Sequence, residues 1–273
     1  MQHVGTCGLC RRTNARLQDS HLYSKSAHKQ LRDLTAGTDP NPVVITREKA
    51  VTTSKQVTSY FLCSECEQRF SDGGERYVLA QCLRADGQFK LRELLEVSSQ
   101  IAPAVSATSR SPFKIYDAKP LLGSTIDQYL YFAASIFWRA SAHHWKIEGK
   151  QIDKISLGSY QEDFRRYLLG KAPFPQNARI WVMVASERED PIVQTIVGPC
   201  TERMGRSHRH KFWIGGIRFV LFLGSDASKQ FDTGALNGNG QQWAWLAPLR
   251  DDSLFQGSLK LSKETTPSGK LRR

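Results

Sequence analysis

Two Cys-x-x-Cys pairs, Cys7/Cys10 and Cys63/Cys66, constrain this chain more than any other feature of its sequence. A two-residue gap lets both sulfurs of a pair turn toward one point. Four thiolates converging in this way suit tetrahedral zinc, a d10 ion with no geometric preference of its own. Gly8 permits a tight turn in the first pair, and the second pair opens a stretch that reads as a helix. The sequence therefore predicts a structural Zn2+ held by Cys7, Cys10, Cys63 and Cys66, in a region rich in turn formers and short of long apolar runs, where a metal substitutes for a core. Cys82 and Cys200 stand alone and are expected to be small buried apolar residues.

The surrounding composition supports thiols as metal ligands. Hydrophobic residues make up 40% of the 273 and charged residues 23%, a globular balance, and no apolar run reaches the roughly 18 to 20 residues of a bilayer span. Met1 to Gly5 show no basic segment leading into an apolar one, so cytoplasmic residence is the expectation. A reducing cytosol disfavours disulfides and leaves metal binding as the better reason for clustered cysteines. The formal charge of +12 favours an anionic partner such as nucleic acid; the charge does not separate DNA from RNA, and DNA is the partner expected. Most of the basic excess falls after residue 100.

The expected fold class is α+β: a small treble-clef zinc domain over residues 1–97, a Ser, Ala and Pro-rich linker over 98–112, and a larger α+β domain over 113–258. Residues 259–273 read as a disordered basic tail. Ala36 to Pro42 reads as a loop and Val43 to Thr46 as a strand. The helix begun at Cys63 is interrupted at Asp72-Gly73-Gly74 and resumes from Glu75. Apolar residues three and four apart predict a helix over Ile126 to Trp145, and Tyr160 to Leu169 suggests another. Ile180 to Val184, Ile192 to Val197 and Ile217 to Leu223 read as strands, and Trp243 and Trp245 fit one face of a further strand.

Between the cysteine pairs lies Gln18-Asp19-Ser20-His21, and Glu67 directly follows the second pair. This arrangement resembles the HNH endonucleases of the ββα-metal class, and within them a looser bacterial subgroup with a Ser-His pair and Cys-x-x-Cys-Glu. The resemblance covers about residues 5 to 85. It implies that His21 deprotonates a water that attacks a phosphodiester, and that Glu67 with Asp19 holds a catalytic Mg2+ or Mn2+. Ser20 stands where that family usually carries an acidic residue or histidine, and Thr58 where it carries an asparagine. A histidine beside Ser and Asp can equally serve as a structural hydrogen-bonding partner, and a carboxylate in a first helical turn is favoured by the helix dipole alone.

Farther along, Arg203-Met204-Gly205-Arg206-Ser207-His208-Arg209-His210-Lys211 reads as a basic loop. Arg203, Arg206, Arg209 and Lys211 are candidate phosphate contacts, the alternative being a solvated surface loop. Three functions compete: a metal-dependent HNH-like endonuclease, a noncatalytic zinc-binding protein that recognises nucleic acid, and a protein-interaction adaptor in which zinc is purely architectural. A protein partner or a second copy of the chain remains open to each, and none involves a membrane.

Overall fold

The computed structural model describes residues 3–32, 41, 43–45, 50–53, 55–101, 113–147, 150–187, 195–204, 207–248, 256 and 266–268. The chain starts with strands β1 (Val4–Gly5) and β2 (Ala15–His21), helix α1 (Lys25–Leu31), and strands β3 (Val43–Ile45), β4 (Ala50–Thr53) and β5 (Thr58–Cys63). Helices α2 (Ser64–Phe70) and α3 (Arg76–Gln81) are joined by a π turn, Ser71–Glu75, and α4 (Lys90–Glu96) follows. Then come β6 (Lys114–Asp117), α5 (Ala118–Leu122), α6 (Ile126–Ala142), β7 (Lys146–Ile147), β8 (Lys150–Gln151) and α7 (Gln161–Leu168). The last part holds β9 (Ala178–Ala185), β10 (Ile196–Met204), β11 (Ser207–Ile214), β12 (Ile217–Leu223), α8 (Ala227–Gln230), β13 (Trp243–Ala247) and β14 (Thr266–Ser268).

Helix α6 is the centre of the molecule. Every residue from Phe132 to Ser141 is buried, and a helix that buries all its faces must be surrounded rather than laid on a surface. Its buried serine hydroxyls are satisfied within the helix, Ser135 Oγ donating to Phe132 O at 2.8 Å and Ser141 Oγ to Trp138 O at 3.0 Å. On one side Phe132 and Phe137 meet Phe212 and Phe219, with ring centroids 5.0 to 6.1 Å apart for the three closest pairings to Phe212 and Phe219. On the other side Trp138 packs on Phe61 and Phe70. The helix stops at His143, three residues earlier than its apolar spacing predicts, because His143 turns extended while its N–H and the Trp145 indole both donate to Arg139 O.

Two sheets flank this helix. A five-stranded sheet runs β1-β2-β5-β7-β8, and a nine-stranded one runs β14-β4-β3-β10-β11-β12-β9-β13-β6. The centre of the larger sheet, β10-β11-β12-β9, is antiparallel, whereas β13 lies parallel to β9 and β3 parallel to β10. Strand β12 is buried along its whole length, which explains why Ile217 to Leu223 reads as a continuous apolar run and not as an alternation.

Several expectations change at this level. Pairing crosses the boundary expected at 98–112: β3 joins β10, and Thr58 of β5 pairs with Lys146 of β7. One apolar cluster runs from Cys7 through α6 to Leu246. Within the expected linker, residues 102–112 lie outside the described residues. The expected disordered tail contains β14, paired parallel with β4, and the rest of 259–273 lies outside the described residues. The loop expected at Ala36 to Pro42 is also outside them, apart from Asn41. The basic segment lies in paired strands rather than a loop: Met204 of β10 pairs with Ser207 of β11, and β11 continues through Ile214. No helix among the described residues is long and apolar enough to cross a membrane.

Candidate metal centre and the polar site beside it

The first Cys-x-x-Cys pair lies on a turn closed by Arg11 N–H donating to Cys7 O at 2.9 Å and Cys7 N–H to Arg12 O at 3.0 Å, with Arg11 and Asn14 in left-handed conformations. Gly8 is required here: a Cβ at that position would come within 2.0 Å of the Phe61 ring, so the turn can lie flat on β5 only without a side chain. Strands β2 and β5 form an antiparallel hairpin, and Cys63 ends β5 as the N-cap of α2, which carries Cys66 in its first turn.

Strand register and helix start bring Sγ of Cys7, Cys10, Cys63 and Cys66 within 4.8 Å of one another. All four are free thiols, and Cys7, Cys63 and Cys66 are buried. Four sulfurs about 2.3 Å from a tetrahedral zinc stand about 3.8 Å apart, and Cys10 Sγ lies 3.9 Å from Cys63 Sγ. The donor set fits. The electrostatics agree: a hydrogen bond from Cys66 brings the Cys7 thiol down to about 4, and Cys66, facing that charge, is pushed up. Cys63 N–H donates to Cys7 Sγ at 3.4 Å and Arg12 Nη2 to Cys63 Sγ at 3.5 Å, contacts that support thiolate charge from outside the ligand set. This cluster can hold a metal ion such as zinc.

A second polar group lies where the hairpin, α2 and α6 meet. The Arg139 guanidinium, 1% exposed, donates from Nη1 to His21 O at 2.8 Å and from Nη2 to Ser135 Oγ at 3.2 Å and to the Glu75 carboxylate. It also stacks over the Phe70 ring at 4.8 Å. Glu75 reaches Arg139 because the π turn brings this segment against α6. Gly74 permits that approach, since a Cβ there would stand 2.3 Å from Gln128 O.

The charges of this ion pair reach both His21 and Glu67. Burial lowers His21 from the ordinary imidazole value, opposed by the Asp19 carboxylate and reinforced by Lys25 and Arg139. Burial raises Glu67, while the Ser20 hydroxyl and then Arg139 pull it back. Its Oε1 is buried without a hydrogen-bond partner. Ser20 is buried and its Oγ accepts from Leu62 N–H at 3.0 Å, fixing it between β5 and α2.

Asp19 is exposed, and strand alternation puts it on the side of β2 opposite Ser20. Its charge reaches His21, but the structure does not gather Asp19 and Glu67 into an ion site: among the described residues, no second group of three His, Cys, Asp or Glu ligand atoms converges.

His28 is a residue that the motif does not signal. It lies on α1, 3% exposed, with neither ring nitrogen hydrogen-bonded, and burial followed by the neighbouring His21 lowers it to about 4. Arg139 did have a signal, as the only charged residue between Asp127 and Ala142 in an apolar helix, where an arginine requires a buried partner.

The expected phosphate contacts fare differently from one another. Lys211 is buried and its Nζ lies 2.6 Å from Glu202, which also binds Arg209. Against the cost of burial, these two cations hold Glu202 below the usual carboxylate range. Alternation along β11 produces this, since Arg209 and Lys211 share a strand face and Glu202 sits opposite Arg209. Arg203 is exposed at the end of β10, and Arg206 lies outside the described residues.

Comparison with known proteins gives no match: no family profile, no curated protein and no solved structure matches the chain.

Proposed function

We propose that the protein is an HNH-like, ββα-metal endonuclease that hydrolyses phosphodiester bonds of nucleic acid, DNA in preference to RNA, on a treble-clef scaffold closed by structural zinc. The observation that supports this reading is that one buried ion pair, Glu75 with Arg139, acts on both candidate residues: Arg139 holds the His21 carbonyl, and the charges of the pair reach the His21 ring and the Glu67 carboxylate, which directly follows the last cysteine of the four-sulfur cluster. The order of hairpin, Cys-x-x-Cys and helix supports it as well.

In this reading His21, shifted toward its neutral form by burial, accepts the proton of the attacking water. Arg139 fixes the end of β2 through the His21 carbonyl and so positions the ring without touching substrate. Asp19 raises the basicity of His21 from outside. Glu67 offers its unpartnered Oε1 to the reacting centre. Mg2+ or Mn2+ would neutralise charge on the phosphate, and it would need the substrate's own phosphate oxygens beside Glu67, since magnesium is commonly held by one or two carboxylates together with phosphates.

Supercoiled plasmid incubated with the full chain and Mg2+ or Mn2+ tests the reading. Nicking is expected, falling at least 100-fold in His21→Ala, a loss within the usual range for a general base, while zinc content and unfolding temperature stay the same. Equal nicking by His21→Ala sinks this mechanism. A second reading, a noncatalytic nucleic-acid-binding zinc module, draws on the lack of a second three-ligand group among the described residues. It expects plasmid retention without cutting under any divalent ion.

A further inference from the structure

We propose that a basic cavity between α1 and the Arg84–Gln88 turn binds a phosphate group. The cavity, about 370 Å³, is lined by Ser26, Lys29, Gln30, Arg32, Arg84 and Asp86 among others. Three cations face one carboxylate there, so the space favours an anion. Gln30 fastens its walls together: Nε2 donates to Leu79 O at 2.8 Å, and its carbonyl accepts from Ala85 N–H at 3.1 Å. The facing turn is held by Arg84 N–H to Gln88 O and Gly87 N–H to Arg84 O, both 2.9 Å. Such a cavity is formed before any ligand arrives.

The cations are available for a ligand. Lys29 is exposed and has no ion-pair partner among the described residues. Arg32 Nε is buried with no hydrogen bond, and a buried guanidinium donor left unpaired is unfavourable unless something accepts from it. Arg84 meets only Asp86, at 3.6 Å with both side chains about half exposed, a pair too solvated to compete strongly with a phosphate. A planar guanidinium suits two phosphate oxygens at once, and Lys29 adds a point charge.

The favoured source is a nucleic-acid backbone. Helix α1 carries the buried His28, whose neighbours include both His21 of the proposed reacting residues and Arg32 of the cavity lining, so the cavity and the proposed site share this helix. Naming this source rests on the proposed function, whereas the phosphate chemistry of the cavity does not.

The test uses the full chain without added divalent ion and two probes. With a labelled 20-base-pair duplex followed by anisotropy from 50 to 200 mM KCl, the exposed pair Lys29→Glu/Arg84→Glu should weaken binding at least tenfold. It should also lower the log–log salt slope by about two, one for each lost contact. Asp86→Asn should tighten binding two- to threefold. With inorganic pyrophosphate, the wild-type unfolding temperature should rise and that of the double variant should not. A response to pyrophosphate with unchanged duplex binding assigns the cavity to a free phosphoryl ligand. Unchanged behaviour of the double variant with both probes overturns the proposal and leaves plasmid nicking as a separate question. Intact phosphate binding in a protein that never nicks DNA removes the nuclease reading and keeps the cavity.

Discussion

The four-sulfur cluster and the ion pair of Arg139 lie side by side, yet they are built in opposite ways. The sulfurs come from two short sequence pairs, each a local turn or helix start, and a single ion can satisfy all four. The ion pair draws on β2, the π turn and α6, and its members compensate one another without an ion. A site assembled from local pairs should fail as a unit when its metal is lost. A site assembled from distant elements should fail in proportion to the charge left unpaired.

The largest effect expected on this comparison is that of metal removal. Wild-type protein should carry one zinc per chain by atomic emission, and Cys63→Ser should lose it. Because binding and folding of structural zinc sites are linked at about 10 kcal/mol or more, that variant should lose the near-ultraviolet circular dichroism of the region around Trp138. Folded, zinc-free protein would break the comparison on the sulfur side.

Next in size is Arg139→Met. Leaving Glu75 buried without its partner should cost about 3 to 5 kcal/mol in urea unfolding, while zinc content is retained. Replacing both, Glu75→Met with Arg139→Met, should recover most of that loss, because two apolar side chains of similar length leave no charge uncompensated. A double variant as unstable as the single one would show that the contact with the His21 carbonyl matters more than the ion pair.

The third effect is a pH dependence. His28 is lowered from 6.5 to about 4 in the folded protein. The unfolded chain therefore takes up a proton at a higher pH than the folded one, and the contribution of His28 is complete above pH 6.5 and lost as pH falls toward 4. By the free energy of one pKa unit this amounts to about 3 kcal/mol. His210, lowered to the same region by burial, adds a similar slope in every variant. The difference between wild type and His28→Leu isolates the first: stability curves that stay parallel from pH 4 to 6.5 would show that His28 is protonated in the folded state.

The same contrast explains what could be read from the sequence. The sulfur ligands were legible because each pair carries its own geometry, and α6 and β12 because long apolar runs of fixed period leave few alternatives. The break at Asp72-Gly73-Gly74 was visible, but not that it is a π turn, which depends on how closely α6 passes. Arg209 and Lys211 read as free cations because their partner Glu202 is set by the register in which β10 and β11 pair, which the sequence does not show. Nothing in Lys25–Leu31 announces a buried imidazole, since a histidine on a short polar helix is as readily solvated as buried.

The separation of Glu75 from its partner also has a consequence in time. The carboxylate leaves the ribosome 64 residues ahead of the guanidinium that neutralises it, whereas all four sulfurs have emerged before either. A nascent chain can therefore load its ion while the neighbouring acid is still bathed in water. Arrival of the central helix then dehydrates that acid, so the sulfur ligands are complete early in biogenesis and the neighbouring ion pair only late.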